Sequence, residues 1–278
     1  HNYELRYWMA AGGIDPDSDV RLVVIPPPLM VESLGAGHIH GYCVGEPWNS
    51  IAVDAGLGRI VATKAELWRK SPEKVLGVPT AWAEAHPEAL ASLIRAFDKA
   101  AAWCDRPENR GDLADFLSLD RYTGISRDIL LRSLSGRMPL GPEGPVREEP
   151  DFIVFHRHAA TFPWKSQALW IYSQMVRWGQ IPASAEAENV VRNVYRPDLY
   201  RSAMGTGEVA LPGANAKLEG SLDAPEHVGT LSGSLQLGPD GFFDGRVFDP
   251  ADITGYLAGF AIPGTGSTAS PAQNLGNI

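Results

Sequence analysis

The sequence predicts an α/β fold, with its strands confined to residues 1–78 and a helical layer after them. Three patterns predict it. β-branched apolar runs alternate with short helical segments up to residue 78. Apolar residues then recur at helical spacing from residue 87 to residue 204. Between residues 205 and 240, Gly, Ser and Pro accumulate and neither period persists.

Residues 3–11 suit a helix that Gly12 and Gly13 stop. Residues 20–25 have the composition of a buried strand, and Pro26, Pro27 and Pro28 end it. A short helix follows over 29–34, and residues 39–44 form a second expected strand. Glu46 and Pro47 open a helix that runs to residue 55. Proline is tolerated in a first turn because its missing N–H has no helical partner there. Residues 59–63 and 74–78 complete the expected strands. With crossovers of this kind, ligands collect at strand carboxyl ends and helix N-termini.

Beyond residue 78 the pattern is helical. Pro79 breaks the fourth strand and Thr80 is a candidate N-cap. Residues 87–103 place Leu90, Leu93, Ile94 and Phe97 at helical spacing. Further helices are expected over 113–119, 129–134, 164–178 and 187–204. Trp164, Trp170 and Trp178 read as core rather than as a cofactor box. Residues 205–240 read as irregular loop, 248–260 as holding a last short helix, and 264–278 as a disordered tail. The expected organisation is therefore 1–78 as an α/β segment, 79–204 as a helical remainder, 205–263 as an irregular segment, and 264–278 as tail.

Composition narrows the function. The 278 residues are 44% hydrophobic and 21% charged, which excludes disorder as a description of the whole chain. A net charge of −9 argues against a non-specific nucleic-acid binder. It leaves a small anion open as ligand, because local donors rather than net charge define such a site. No apolar stretch is long enough to span a membrane. Cys43 and Cys104 form no CxxC pair, which excludes a zinc ribbon or a thioredoxin-type centre. Cys43, in an apolar run, reads as a small core residue.

Few residues propose chemistry. His156 and His158 form an H-x-H pair that could chelate a metal from a strand, but no third or fourth ligand accompanies it, and polar surface is the better reading. Glu46 and Asp54 lie about two turns apart on one helix. With no nucleophile beside them, Glu46 is better read as a charge complementing the helix dipole. No G-x-S-x-G, Walker or G-x-G-x-x-G motif occurs, and Gly35-Ala36-Gly37 is too short to cradle phosphates. No metal, no cofactor and no catalytic residue is expected.

Several runs in order carry a resemblance: His1-Asn2-Tyr3-Glu4-Leu5-Arg6-Tyr7-Trp8, Val44-Gly45-Glu46-Pro47-Trp48-Asn49 and Pro72-Glu73-Lys74-Val75-Leu76-Gly77. Trp103-Cys104-Asp105 with Pro107-Glu108-Asn109, Phe162-Pro163-Trp164-Lys165-Ser166 and Arg177-Trp178-Gly179 continue it. The chain resembles the nitrate- and bicarbonate-binding proteins of ABC transporters, with the related cytoplasmic nitrate sensors. The match runs from residue 1 to about residue 200, with an echo over 248–260.

The resemblance implies a type II periplasmic-binding-protein-like clamshell, represented mainly by its second lobe plus a C-terminal helical layer. His1 falls near the start of that lobe, so the resemblance implies that the first lobe precedes it. It also implies an anion site of three residues: the His1 ring N–H, the Gly45 backbone N–H and the Lys74 ammonium. Lysine at position 74 goes with nitrate or nitrite in such proteins, and an acidic residue there goes with bicarbonate. The implied role is the substrate-binding component of a bacterial importer that passes its anion to an ABC permease, periplasmic or anchored on the periplasmic face. The implied alternative is a cytoplasmic sensor acting on an RNA-binding antiterminator, without touching nucleic acid itself. A rival from another class is an enzyme on a related fold, in which His1 and Glu46 would form an acid/base pair.

Overall fold

A computed structural model describes residues 1–205, 210–230, 232–262 and 264; of the expected tail, all but residue 264 lies outside the described residues. The helices follow the sequence closely. α1 (Asn2–Ala11) ends at Gly12 and Gly13 as expected. A 3₁₀ turn (Pro27–Leu29) leads into α2 (Met30–Gly35), and α3 (Trp48–Asp54) follows Pro47. α4 (Lys64–Leu67), which the sequence reading lacked, is held by a capping box between Thr63 and Glu66. α5 (Thr80–Ala85) starts at Thr80, so Thr80 is its first helical residue and not its cap. α6 (Pro87–Cys104), α7 (Arg110–Ser118), α8 (Arg127–Ser135) and α9 (Lys165–Arg177) match the expected helices.

The strands are the correction. None of the segments 20–25, 39–44, 59–63 and 74–78 joins a β-ladder. Ile60 donates one backbone hydrogen bond to Leu140 O, and no ladder continues from it. Val24 is fully exposed, and Val61 and Val75 are largely so. A strand exists only where a neighbour takes up its N–H and C=O groups. These segments are apolar, but no described segment forms a ladder with them.

The strands that do form lie elsewhere. β1 (Arg137–Pro139) pairs antiparallel with β2 (Val146–Glu148), opposing Arg137 to Glu148. Gly136 ends α8 at φ +65°, and a Cβ there would stand 1.9 Å from Glu149 O, so only glycine fits this turn. The expected helix over 187–204 is two, α10 (Ala185–Val194) and α11 (Pro197–Met204). Pro197 pushes Arg196 out of helical conformation and starts the second helix itself. Within 205–240, expected to be loop, β3 (Glu226–Val228) pairs antiparallel with β4 (Leu235–Leu237). α12 (Ile253–Ala258) is the expected last short helix.

Three apolar clusters hold these elements together. The first joins Tyr7 of α1 and Trp68 to Leu169 and Trp170 of α9, and to Phe242, Phe248 and Tyr256. Trp68 stacks on Phe242 at 4.7 Å between ring centroids. A second gathers Phe162, Trp164, Tyr200, Leu211 and Leu237. The third packs Leu113 and Ala114 of α7 against Leu130 and Leu134 of α8. Trp164, Trp170 and Trp178 are all buried, as their spacing suggested. Buried charge ties the C-terminal segment to α9: the Lys217 ammonium contacts both Glu219 and Asp240, and Ser166 donates to Glu219 at 2.6 Å.

Candidate functional site

His1 immediately precedes α1, and its carbonyl accepts the Leu5 N–H at 2.9 Å. Gly45 lies in the loop before α3, and side chains of that helix fix the loop. Asn49 Nδ2 donates to Val44 O at 2.9 Å, and the Glu46 carboxylate accepts from the Ser50 backbone N–H at 3.3 Å and the Ser133 hydroxyl at 3.2 Å. Glu46 therefore serves the start of α3, where unpaired N–H groups favour a carboxylate. Lys74 sits in the irregular stretch between α4 and α5, after Pro72.

These three positions lie close to a single atom, Glu73 Oε1. Lys74 Nζ donates to it at 2.9 Å, and His1 Nε2 lies 3.3 Å from it. A Cβ on Gly45 would lie 3.8 Å from the same oxygen and 3.9 Å from His1 Cε1. The other oxygen, Glu73 Oε2, accepts from Lys64 Nζ at 2.7 Å. Lys64 also donates to Pro72 O at 2.6 Å and stands 3.3 Å from Glu4 Oε1. A cavity of about 280 Å³ opens here, bordered by His1, Glu4, Lys64, Trp68, Glu73 and Lys74.

Electrostatics follow from depth. Glu4 is buried, Lys64 is a quarter exposed, and Lys74 reaches solvent with 83% of its side chain exposed. Burial pushes the Glu73 carboxyl up, but the ammoniums of Lys64 and Lys74 outweigh it and hold the carboxyl below its usual range. Burial raises the neighbouring Cys43 thiol, which keeps it from being a ready nucleophile. No Ser, Thr or Cys borders the cavity among the described residues. The arrangement can hold and neutralise an anion, and it places no nucleophile beside a base.

The remaining candidates disperse. His156 Nε2 faces Asp98 Oδ1 at 3.4 Å, while His158 Nδ1 faces Gln236 O at 3.1 Å, so the H-x-H pair does not converge. Asp54 pairs with Arg132, away from Glu46. His1 faces Glu73 and not Glu46, so the imagined acid/base pair is not formed. A second cavity of about 240 Å³, by Lys165, Arg196 and Asp198, shares no residue with the first.

Residues 1–118, which include all three positions, match the model of the NMT1-like family. The nitrate/nitrite binding protein NrtA of Synechococcus elongatus is 36% identical over 260 residues, covering 93% of this chain and 54% of the relative. Over nearly its whole length the chain is similar to nitrate- and bicarbonate-transport proteins. The crystal structure of the periplasmic nitrate-binding protein NrtA from Synechocystis matches with a TM-score of 0.82 and 29% identity, over 94% of this chain and 64% of that one. The expected class, a periplasmic-binding-protein-like fold, is thus the class of this chain.

The bicarbonate transport ATP-binding protein CmpC of Synechocystis is also 36% identical, over 92% of this chain and 35% of the relative. The chain spans about half the length of the NrtA relative and about a third of CmpC. Equal identity to nitrate and bicarbonate relatives means that overall similarity does not choose the anion; individual site residues have to. Despite the relative's name, the chain carries no Walker motif, so the stretch it shares with CmpC brings no phosphate-binding loop.

Sequence reasoning missed Lys64 and Glu4, which border this cavity. Both had a signal. The Thr63 and Glu66 capping pair marks a helix start that puts Lys64 in the first turn. Glu4 lies three residues before Tyr7, and so on the helix face that turns inward.

Proposed function

We propose that the chain forms part of a receptor for a small oxyanion, nitrate or nitrite before bicarbonate, with His1, Gly45 and Lys74 as its contacts. One observation carries the reading. Three residues singled out by family resemblance, from three separate stretches of chain, lie near one carboxylate oxygen. A carboxylate is a planar oxyanion with delocalised charge, and a place that suits it suits nitrate.

The roles follow from chemistry. His1 offers a ring N–H, Gly45 a backbone N–H with no side chain in the way, and Lys74 the positive charge that offsets desolvation of the anion. Fixed donors select for shape, because any donor the anion leaves unmet is penalised in a closed site. A donor-only group at position 74 favours an anion that accepts hydrogen bonds and donates none, whereas bicarbonate carries a hydroxyl that must also donate. No bond is made or broken: the cycle is capture, closure and release to an ABC permease on the periplasmic side. The naming of relatives for nitrate binding and bicarbonate transport supports this assignment.

Calorimetric titration of the intact protein with nitrate, nitrite and bicarbonate tests it, alongside Lys74→Glu. Nitrate or nitrite binding should weaken at least tenfold in the variant, or about 1.4 kcal/mol. Absence of heat with all three anions, both in the wild-type protein and in Glu73→Gln, would overturn the assignment.

A further inference from the structure

Glu73 is the odd residue in an anion site. A site built to attract an oxyanion has a carboxylate at its centre, beside the very groups that would bind the ligand. We infer that Glu73 is a built-in competitor, whose carboxylate engages Lys74 and faces His1 in place of the anion and swings away when the anion binds. This rests on the receptor reading given above.

The geometry allows the exchange in both directions. Glu73 is 41% exposed, so its carboxylate can turn out to water without being buried elsewhere. Lys74, on the outer rim, is free to follow the incoming anion. Lys64 loses one of its partners when Glu73 leaves, but keeps Pro72 O at 2.6 Å and Glu4 Oε1 at 3.3 Å. The floor of the cavity therefore stays satisfied with Glu73 in either position, which is what a reversible exchange requires. The neighbouring residues also bias the competitor. Two ammoniums keep Glu73 ionised across the neutral range, so it competes as a full anion.

The consequence is a tax on affinity and a gain in selectivity. When the donors are engaged internally most of the time, apparent affinity falls by the fraction of time they are free. Only a ligand that meets the donors better than a carboxylate then displaces it. Weakly accepting anions such as chloride are rejected most strongly, because they offer no matched oxygens.

The test uses two substitutions in the intact protein, with nitrate, nitrite and chloride binding measured by calorimetry and folding followed by thermal melting. Glu73→Gln keeps the shape and removes the charge; Glu73→Asp keeps the charge but shortens the reach by one methylene. A competitor predicts tighter nitrate binding in both, by about tenfold, together with a loss of discrimination against chloride. Nitrate binding in Glu73→Gln where the wild type shows none would also uphold it, as competition that the wild-type carboxylate wins outright. A gain in Glu73→Gln alone would mean that only net charge matters, and would overturn the inference. Weaker binding in both, with the wild type binding normally, would make Glu73 a contact of the anion and overturn it too. Binding by none of the three proteins would refute the receptor reading itself, and the inference with it.

Discussion

A Cβ placed on Gly45 meets nothing closer than 3.8 Å, and the backbone there is not left-handed. The fold therefore tolerates a side chain at this position. Its direction is the problem, since it points between Glu73 Oε1 and His1 Cε1. Gly45→Val should leave the melting curve within about 0.5 kcal/mol of wild type and weaken nitrate binding by about tenfold, or 1.4 kcal/mol. Paired thermal melts and calorimetry read both quantities; a valine variant that binds like wild type would remove Gly45 from the site. At this scale the sequence offered as candidates the residues that sit in recognisable runs, His1, Gly45 and Lys74, and they lie near one another around Glu73. Lys64 was not legible because a lysine in a short first turn looks like any surface lysine until Glu4 and Glu73 are seen around it. Glu73 was legible only as the neighbour of Lys74, since nothing in spacing says which way a carboxylate turns.

Among the elements, helices were readable and strands were not, for a physical reason. A helix closes its hydrogen bonds within its own sequence, so periodicity and boundary residues such as Gly12 and Pro87 define it locally. Segment 20–25 has the residues of a strand, but a ladder belongs to two segments, and its partner is nowhere among the described residues. The hairpins β1–β2 and β3–β4 were missed for the converse reason: they are three-residue strands too short to show a period. Contacts between elements are equally invisible in the sequence, and one of them predicts a pH dependence. Asp98 on α6 accepts from Thr161 at 2.9 Å and from Tyr200 on α11 at 2.7 Å, and faces His156 at 3.4 Å. The hydrogen bond to Asp98 raises the His156 imidazole above its usual value despite burial, and Asp105 adds to the rise. Burial pushes the Asp98 carboxyl up, but His156, Tyr200 and Thr161 outweigh it and lower it. The raised histidine contributes stability that is fully present below its unfolded value of about 6.5 and is lost as pH rises through its folded pKa. The lowered aspartate contributes stability present above about 3.9 and lost as pH falls through its folded pKa. The stability difference between wild type and His156→Asn should therefore be largest between about pH 4 and 6.5 and shrink above neutrality, with a maximum of about 1 kcal/mol for a partly exposed pair. Urea denaturation across this range measures it; a difference that grows on the alkaline side would disprove the pairing.

For the molecule as a whole, the candidate site is anchored by residues that no sequence rule connects to it. Trp68 borders the cavity and stacks on Phe242, and Phe242 in turn packs on Tyr7 of α1 and Trp170 of α9. The burial of Trp170 was legible from helical spacing, but the meeting of Trp68 with Phe242 was not, because it joins segments far apart along the chain. This cluster makes the C-terminal segment part of the support for an N-terminal site. Phe242 is 5% exposed, and replacing it by alanine removes the surface on which Trp68 rests. Phe242→Ala should cost about 3–5 kcal/mol, the usual range for emptying a buried aromatic position. The loss should not stay local: hydrogen exchange should accelerate together in α1, α4 and α9, and anion affinity should fall although no contact residue has changed. Exchange mass spectrometry on the variant distinguishes this from a local effect. If only residues near 242 exchange faster while α1 and α4 keep their protection, the site is supported from its own side of the chain and the aromatic cluster is not the link between them.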